Sequence, residues 1–232
     1  MERPAARAAD PRKSTKAARI LVADDHELVR RGVRALIDTH LGWEVCGEAA
    51  NGREAVEQAK RLKPDVVILD VSMPQLNGLE ATRQILRAVP STEVLVLTIH
   101  ESEQIEREVL EAGAHGYILK SDDGSDLLAA VESLLRHRPY FTAKVSRMVL
   151  EGHLRGGSSP SAREGRRGTL TSREREVFQL LAEGNSNKEV SSKLNISLKT
   201  AESHRARIMH KLDLHSTSDI VHYAIRNKIV EP

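Results

Sequence analysis

The chain has 232 residues, 40% of them hydrophobic, with 35 Lys and Arg against 33 Asp and Glu, which is length enough for one large domain or two of ordinary size, each with its own core. No run reaches the roughly 18–20 consecutive apolar residues of a membrane span, and the first residues lack the apolar core of a secretory signal, so a soluble, cytoplasmic protein with no membrane partner is expected. The formal net charge of +2 hides a segregation: residues 20–137 hold 12 Lys and Arg against 21 Asp and Glu, and the remainder 23 against 12. Parts of opposite sign point to different partners.

Residues 1–18, Ala-rich and basic with two prolines, read as a disordered tail. From residue 19 to 137, short runs rich in Val, Ile and Leu alternate with longer segments of helical periodicity. The runs are "RILVAD" (19–24), "EVCGEA" (44–49), "DVVILD" (65–70), "EVLVLT" (93–98) and "GYILK" (116–120), as expected of strands buried on both faces. After them come "HELVRRGVRALIDT", "GREAVEQAKRLK", "GLEATRQILRAV", "EQIEREVLEAG" and "GSDLLAAVESLLRH", each with apolar residues three and four apart. Five such alternations predict an α/β fold, a parallel sheet with helices on both sides. Cys46, the single cysteine, excludes an internal disulfide and reads as a small buried hydrophobe.

The pattern then changes. Residues 138–168 read as a linker: "TAKVSRMVLEGHL" allows one more amphipathic helix, and "RGGSSPSAREGRRG" has nothing to bury. In residues 169–232, "TSRE" (171–174) and "SNKE" (186–189) are capping boxes, and Ser197 and Ser216 suit two more helix starts. Gly184 and Asn195 suit helix ends. Four short helices are expected, the middle two joined by a tight turn around "NIS".

Ligands of an open parallel sheet gather at the carboxyl ends of its strands. There stand Asp24 and Asp25 after the first run, Asp70 on the third, Thr98 on the fourth and Lys120 on the fifth. Adjacent carboxylates repel, so they require a cation. Three carboxylates suit Mg²⁺, which binds carboxylates together with phosphate oxygens and water. A carboxylate such as Asp70 can attack phosphorus while a metal, a hydroxyl (Thr98) and an ammonium (Lys120) hold the transferred oxygens. A phosphohydrolase would use a similar aspartate but usually presents D-x-D after that strand, and "DVSMP" has no second carboxylate there.

In "NSNKEVSSKLNISLKTAESHRARIMHKL" the second helix places Ala201, His204, Ile208 and Leu212 on one side. Lys199, Ser203, Ala206 and His210 fall opposite, flanked by Glu202 and Arg207. Short polar side chains beside basic ones suit a major groove, although a merely solvated helix would look similar. The last helix, "STSDIVHYAIRNKI", is apolar over about half its circumference. Its surplus, including Val221 and Ile225, predicts pairing of two chains.

The segments "VADDHELVRRGVRALI", "DVVILDVSMPQLNGLEATRQI", "VLVLT" and "EAGAHGYILK" resemble the receiver domain of two-component response regulators over about residues 19–137. That resemblance implies a doubly wound, flavodoxin-like five-stranded sheet of order 2-1-3-4-5. It implies phosphorylation of Asp70 from a sensor histidine kinase, with Mg²⁺ held by Asp24, Asp25, Asp70 and the main-chain carbonyl of Ser72. Thr98 and Tyr117 would be a coupled switch pair, and Lys120 would contact the phosphoryl group. One departure is Ser121, where the family often has proline. The segment "LTSREREVFQLLAEGNSNKEVSSKLNISLKTAESHRARIMHKLDLHS" resembles the LuxR-type helix-turn-helix of NarL/FixJ regulators. It implies promoter DNA as partner, a small all-α domain, and a reading helix over residues 199–212. Lys199, Thr200, Glu202, Ser203, Ala206, Arg207 and His210 would face DNA, and a homodimer would form when the protein is phosphorylated or DNA-bound. Many members carry Lys where Glu202 stands.

Overall fold

The computed structural model describes residues 17–99, 103–141, 170–227 and 229–230. Of the tail expected over 1–18, residues 1–16 lie outside these residues and Ala18 already opens the first strand; the helix allowed over 142–154 lies outside them too, as does the Gly- and Ser-rich stretch that follows. The first part alternates strand and helix in the expected order: β1 (Ala18–Ala23), α1 (Glu27–Asp38), β2 (Trp43–Ala49), α2 (Gly52–Leu62), β3 (Val66–Asp70), α3 (Gly78–Ala88), β4 (Glu93–Thr98), α4 (Glu103–Ala112), β5 (Gly116–Leu119) and α5 (Gly124–Leu135). All strand pairs are parallel, in the order β2-β1-β3-β4-β5.

Side chains alternate across a strand, and each strand therefore feeds two cores. Leu21, Val67, Leu69, Val94 and Val96 pack with Val56, Ile85 and Val109 of α2, α3 and α4. Ile20, Val22, Ile68, Leu95 and Ile118 pack with Val33 and Ile37 of α1 and Val131 and Leu134 of α5. The expectation of strands buried on both faces holds for β3, every residue of which is buried, but not for β2. β2 is an edge strand, and Cys46 on it is half-buried rather than enclosed.

Chain reversal is what places the polar residues. β1 and β3 are neighbours in the sheet while their following helices leave to opposite faces, so their carboxyl ends open a crevice at the switch point. Close packing holds the loop after β3 against the sheet. A Cβ on Gly78, the first residue of α3, would stand 2.0 Å from the Asp70 carbonyl oxygen, and the Gly78 amide donates to the Val71 carbonyl.

The second part is all-helical: α6 (Ser172–Ala182), α7 (Asn187–Leu194), α8 (Leu198–Leu212) and α9 (Thr217–Arg226). Thr171 with Glu174, Ser186 with Glu189 and Ser216 with Asp219 form reciprocal capping boxes, and Ser197 accepts the Thr200 amide. Asn195 (φ 51°) ends α7 in the left-handed region, and Asp213 (φ 55°) ends α8 the same way. Gly184 (φ 86°) lies one residue past the α6 cap, Glu183. Val177, Phe178, Leu181, Val190, Ile208 and Ile220 form the shared core.

Candidate functional site

The crevice gathers charges from three strand ends. Asp24 follows β1 and Asp70 ends β3, and each is only 2% exposed. The Lys120 ammonium, just past β5, reaches both: Nζ lies 2.7 Å from Asp24 Oδ2 and 3.0 Å from Asp70 Oδ2. One carboxylate oxygen each from Asp24, Asp25 and Asp70 lies within 4.8 Å of the others and of a His26 ring nitrogen. His26 is a participant that sequence reasoning passed over, although it follows the acidic pair directly. Its amide donates to Asp24 Oδ1 (2.9 Å), and its Nδ1 stands 2.9 Å from Asp25 Oδ1. From α1, Arg30 donates to the Asp24 carbonyl at 2.7 Å.

The electrostatics follow from this crowding. Burial pushes the Asp70 carboxyl up to about 6 from 3.8; Asp24 and Asp25 push the same way, and Lys120 opposes them. For Lys120, burial disfavours the ammonium, but the Asp24 and Asp70 carboxylates outweigh it and hold its pKa above the ordinary lysine value. The donor set fits a hard divalent cation: three carboxylates converge, and a single ammonium neutralises only one of their charges.

The remaining predicted residues sit around this centre. Thr98 ends β4 fully buried, its carbonyl accepting the Lys120 amide at 2.8 Å. Tyr117, on β5 beside Val96, is 1% exposed within the core under α2, α3 and α4. Ser72 lines a cleft with Asp25.

In the helical part, Lys199, Thr200, Glu202, Ser203, Ala206, Arg207 and His210 are all exposed along α8, whereas Ala201 and Ile208 are buried. His204 is half-buried, and burial, followed by Arg173 and Arg207, lowers its pKa. On α9, Ile220 and Ala224 enter the core while Val221 and Ile225 remain partly exposed. That face of α8 is therefore open even though the two parts touch. They meet through α6, whose Gln179, Glu176 and Arg175 bond to α2, α3 and the loop after β3. Sequence periodicity carried no sign of these contacts.

Residues 20–132 match the response regulator receiver domain, and residues 168–224 match the LuxR family of bacterial regulatory proteins. The transcriptional regulatory protein LiaR of Bacillus subtilis is 36% identical over 212 residues, covering 91% of this chain and 99% of LiaR. A solved RcsB response regulator of Salmonella typhimurium is similar at 29% identity and a TM-score of 0.59, covering 90% of this chain and 96% of that one. A structure of two RcsB dimers bound to two parallel DNAs is similar at 28% identity and a TM-score of 0.53, over 89% of this chain and 97% of that one. Acidic crevice, exposed α8 face and these matches agree: the chain belongs to the two-component response regulators that join a receiver domain to a LuxR-type DNA-binding domain and regulate transcription, and it is not an enzyme.

Proposed function

We propose that Asp70 is the phosphoacceptor, that a sensor histidine kinase is its donor, and that phosphorylation controls pairing of two chains on promoter DNA. The observation that carries this reading is the convergence of Asp24, Asp25 and Asp70 on one another, with Lys120 bridging two of them. An Asp70 oxygen attacks the phosphorus of a phosphohistidine, the P–N bond breaks, and the electron pair leaves with the imidazole nitrogen. Lys120 offsets the negative charge that arrives, and the Thr98 hydroxyl offers it a hydrogen bond. Asp24, Asp25, Asp70 and the Ser72 carbonyl would hold Mg²⁺. When bound, that ion neutralises charge on the phosphoryl oxygens.

Thr98 and Tyr117 lie on adjacent strands, β4 and β5, and act as the coupled pair: movement of Thr98 toward the phosphoryl oxygens frees space for the Tyr117 ring. Residues 138–168 link the receiver to the DNA-binding domain, which begins at about residue 169. Within it, α8 enters the major groove. Lys199 and Arg207 hold phosphates, and Thr200, Glu202, Ser203, Ala206 and His210 approach base edges. Val221 and Ile225 pair two α9 helices and set adjacent half-sites. The protein works in the cytoplasm; among the described residues no helix is long and apolar enough to cross a membrane.

Intact-mass measurement after incubation with Mg²⁺ and acetyl phosphate tests the first step: one phosphoryl group is expected on the native chain and none on Asp70→Ala. A phosphorylated Asp70→Ala chain would overturn the assignment. Site selection from random DNA by the phosphorylated protein, with Asp70→Ala in parallel, tests the second.

A further inference from the structure

One contact between the two domains falls beside the acidic crevice. Gln179 of α6 is 1% exposed, and both ends of its amide are used on the loop after β3. Its Nε2 donates to the Met73 carbonyl at 2.8 Å, and its Oε1 accepts the Asn77 amide at 2.7 Å. Those residues bracket a segment that begins three positions after Asp70. One turn along α6, Glu183 accepts the Gln75 amide at 2.8 Å and a second bond from Gln179 at 2.9 Å. Gln75 is itself held in the left-handed region (φ 66°).

A second anchor lies at Glu80 of α3, a carboxylate 1% exposed. Arg175 Nε donates to its Oε2 at 2.8 Å, and the Ser172 hydroxyl donates to its other oxygen. Buried carboxylates require such partners, and these two reach Glu80 from across the domain boundary, beside Arg83 and Gln84 of its own helix at 3.4 Å. Between the anchors and the strand ends is a cleft of about 360 Å³, with Asp25, Ser72 and Pro74 on the receiver side and Glu183, Ile229 and Val230 on the other. The approach to the acidic crevice is thus walled by the DNA-binding domain on the side of the loop after β3, while Asp25 and His26 stay exposed on the other, and the Glu183 carboxylate places negative charge on that wall. α8, meanwhile, keeps its reading face exposed.

We infer that the DNA-binding domain, docked through α6, is a lid on the phosphoacceptor site, with Gln179 as the residue that latches it. The lid obstructs phosphodonors and leaves the reading helix open, so docking regulates the input to the switch instead of hiding its output. This rests on Asp70 being the acceptor. Phosphorylation then requires the undocked fraction, and the rate scales with that fraction. Losing the two Gln179 hydrogen bonds, each worth a factor of a few in the docking equilibrium, raises that fraction by about tenfold.

The test uses the full chain with Mg²⁺ and phosphoramidate, following phosphorylated protein by intact mass in the native chain, Gln179→Ala and Arg175→Ala. Hydrogen exchange at the Gln75 and Asn77 amides reports undocking separately. Gln179→Ala is expected to phosphorylate about tenfold faster, with faster exchange at both amides, and Arg175→Ala to shift both in the same direction. Arg175→Ala carries the same comparison should Gln179→Ala fail to fold. Faster exchange with a rate within about twofold of the native chain, or exchange that does not change, overturns the lid. Absence of phosphorylation in all three chains overturns the acceptor reading on which the lid rests.

Discussion

Replacing Asp70 with Asn should stabilise the protein. The folded chain holds the Asp70 carboxyl at about 6 against an ordinary 3.8, chiefly through burial and then through Asp24 and Asp25. A folded pKa raised above the unfolded one means that ionising the group opposes folding. Below pH 3.8 the carboxyl is protonated in both states and exerts no penalty. As pH rises from 3.8 to 6, the unfolded chain ionises first and stability falls. Above 6 the loss is complete, at about 3 kcal/mol for a shift of roughly two units.

Asn cannot ionise, keeps nearly the same volume, and leaves Lys120 its 2.7 Å partner Asp24. In urea titrations without divalent cations, Asp70→Asn should exceed the native chain by about 3 kcal/mol at pH 7.5 and by only about 1 kcal/mol at pH 4.5. Added Mg²⁺ should narrow the gap at pH 7.5, because an ion that binds only the folded native site stabilises it by mass action. Equal stabilities at pH 7.5, or a gap that does not shrink on acidification, would refute the claim that ionising the buried Asp70 carboxyl opposes folding.

Three further outcomes follow from the geometry. Arg207→Ala, on the exposed face of α8, should weaken binding to all DNA sequences alike and lower the slope of log affinity against log salt by about 1, as fluorescence anisotropy across a salt series would register. Val221→Asp leaves the buried Ile220 and Ala224 in place, so it should preserve helicity by circular dichroism while reducing two chains per DNA site to one in sedimentation. Ser186→Ala removes the cap that accepts the Glu189 amide, and should cost about 1 kcal/mol in denaturant titrations of the helical domain.

The legible parts are those written in local chemistry. Alternating apolar runs declared five strands and five helices because burial on two faces demands such runs, and two capping boxes together with Ser197 and Ser216 marked the four α-helical starts after residue 170. Asp24, Asp25, Asp70, Thr98 and Lys120 were visible as polar residues at strand ends, where a parallel sheet collects its ligands. The burial of Cys46 was misjudged for a related reason: its run looks like any interior strand, and only the strand order makes β2 an edge.

Tertiary structure decided what no periodicity encodes. Lys120 bridges Asp24 and Asp70 because β5 and β1 flank the central strands and direct their ends into one crevice. His26 joins the acidic group through a turn whose path depends on the Asp24 carboxylate accepting its amide. Gln179, on which the sequence pattern says nothing, is buried at a domain contact about a hundred positions away from its partners. Local sequence specifies helices and strands because their hydrogen bonds join near neighbours. A contact between distant residues depends on how whole domains dock, and that is set by the sum of many weak complementary surfaces.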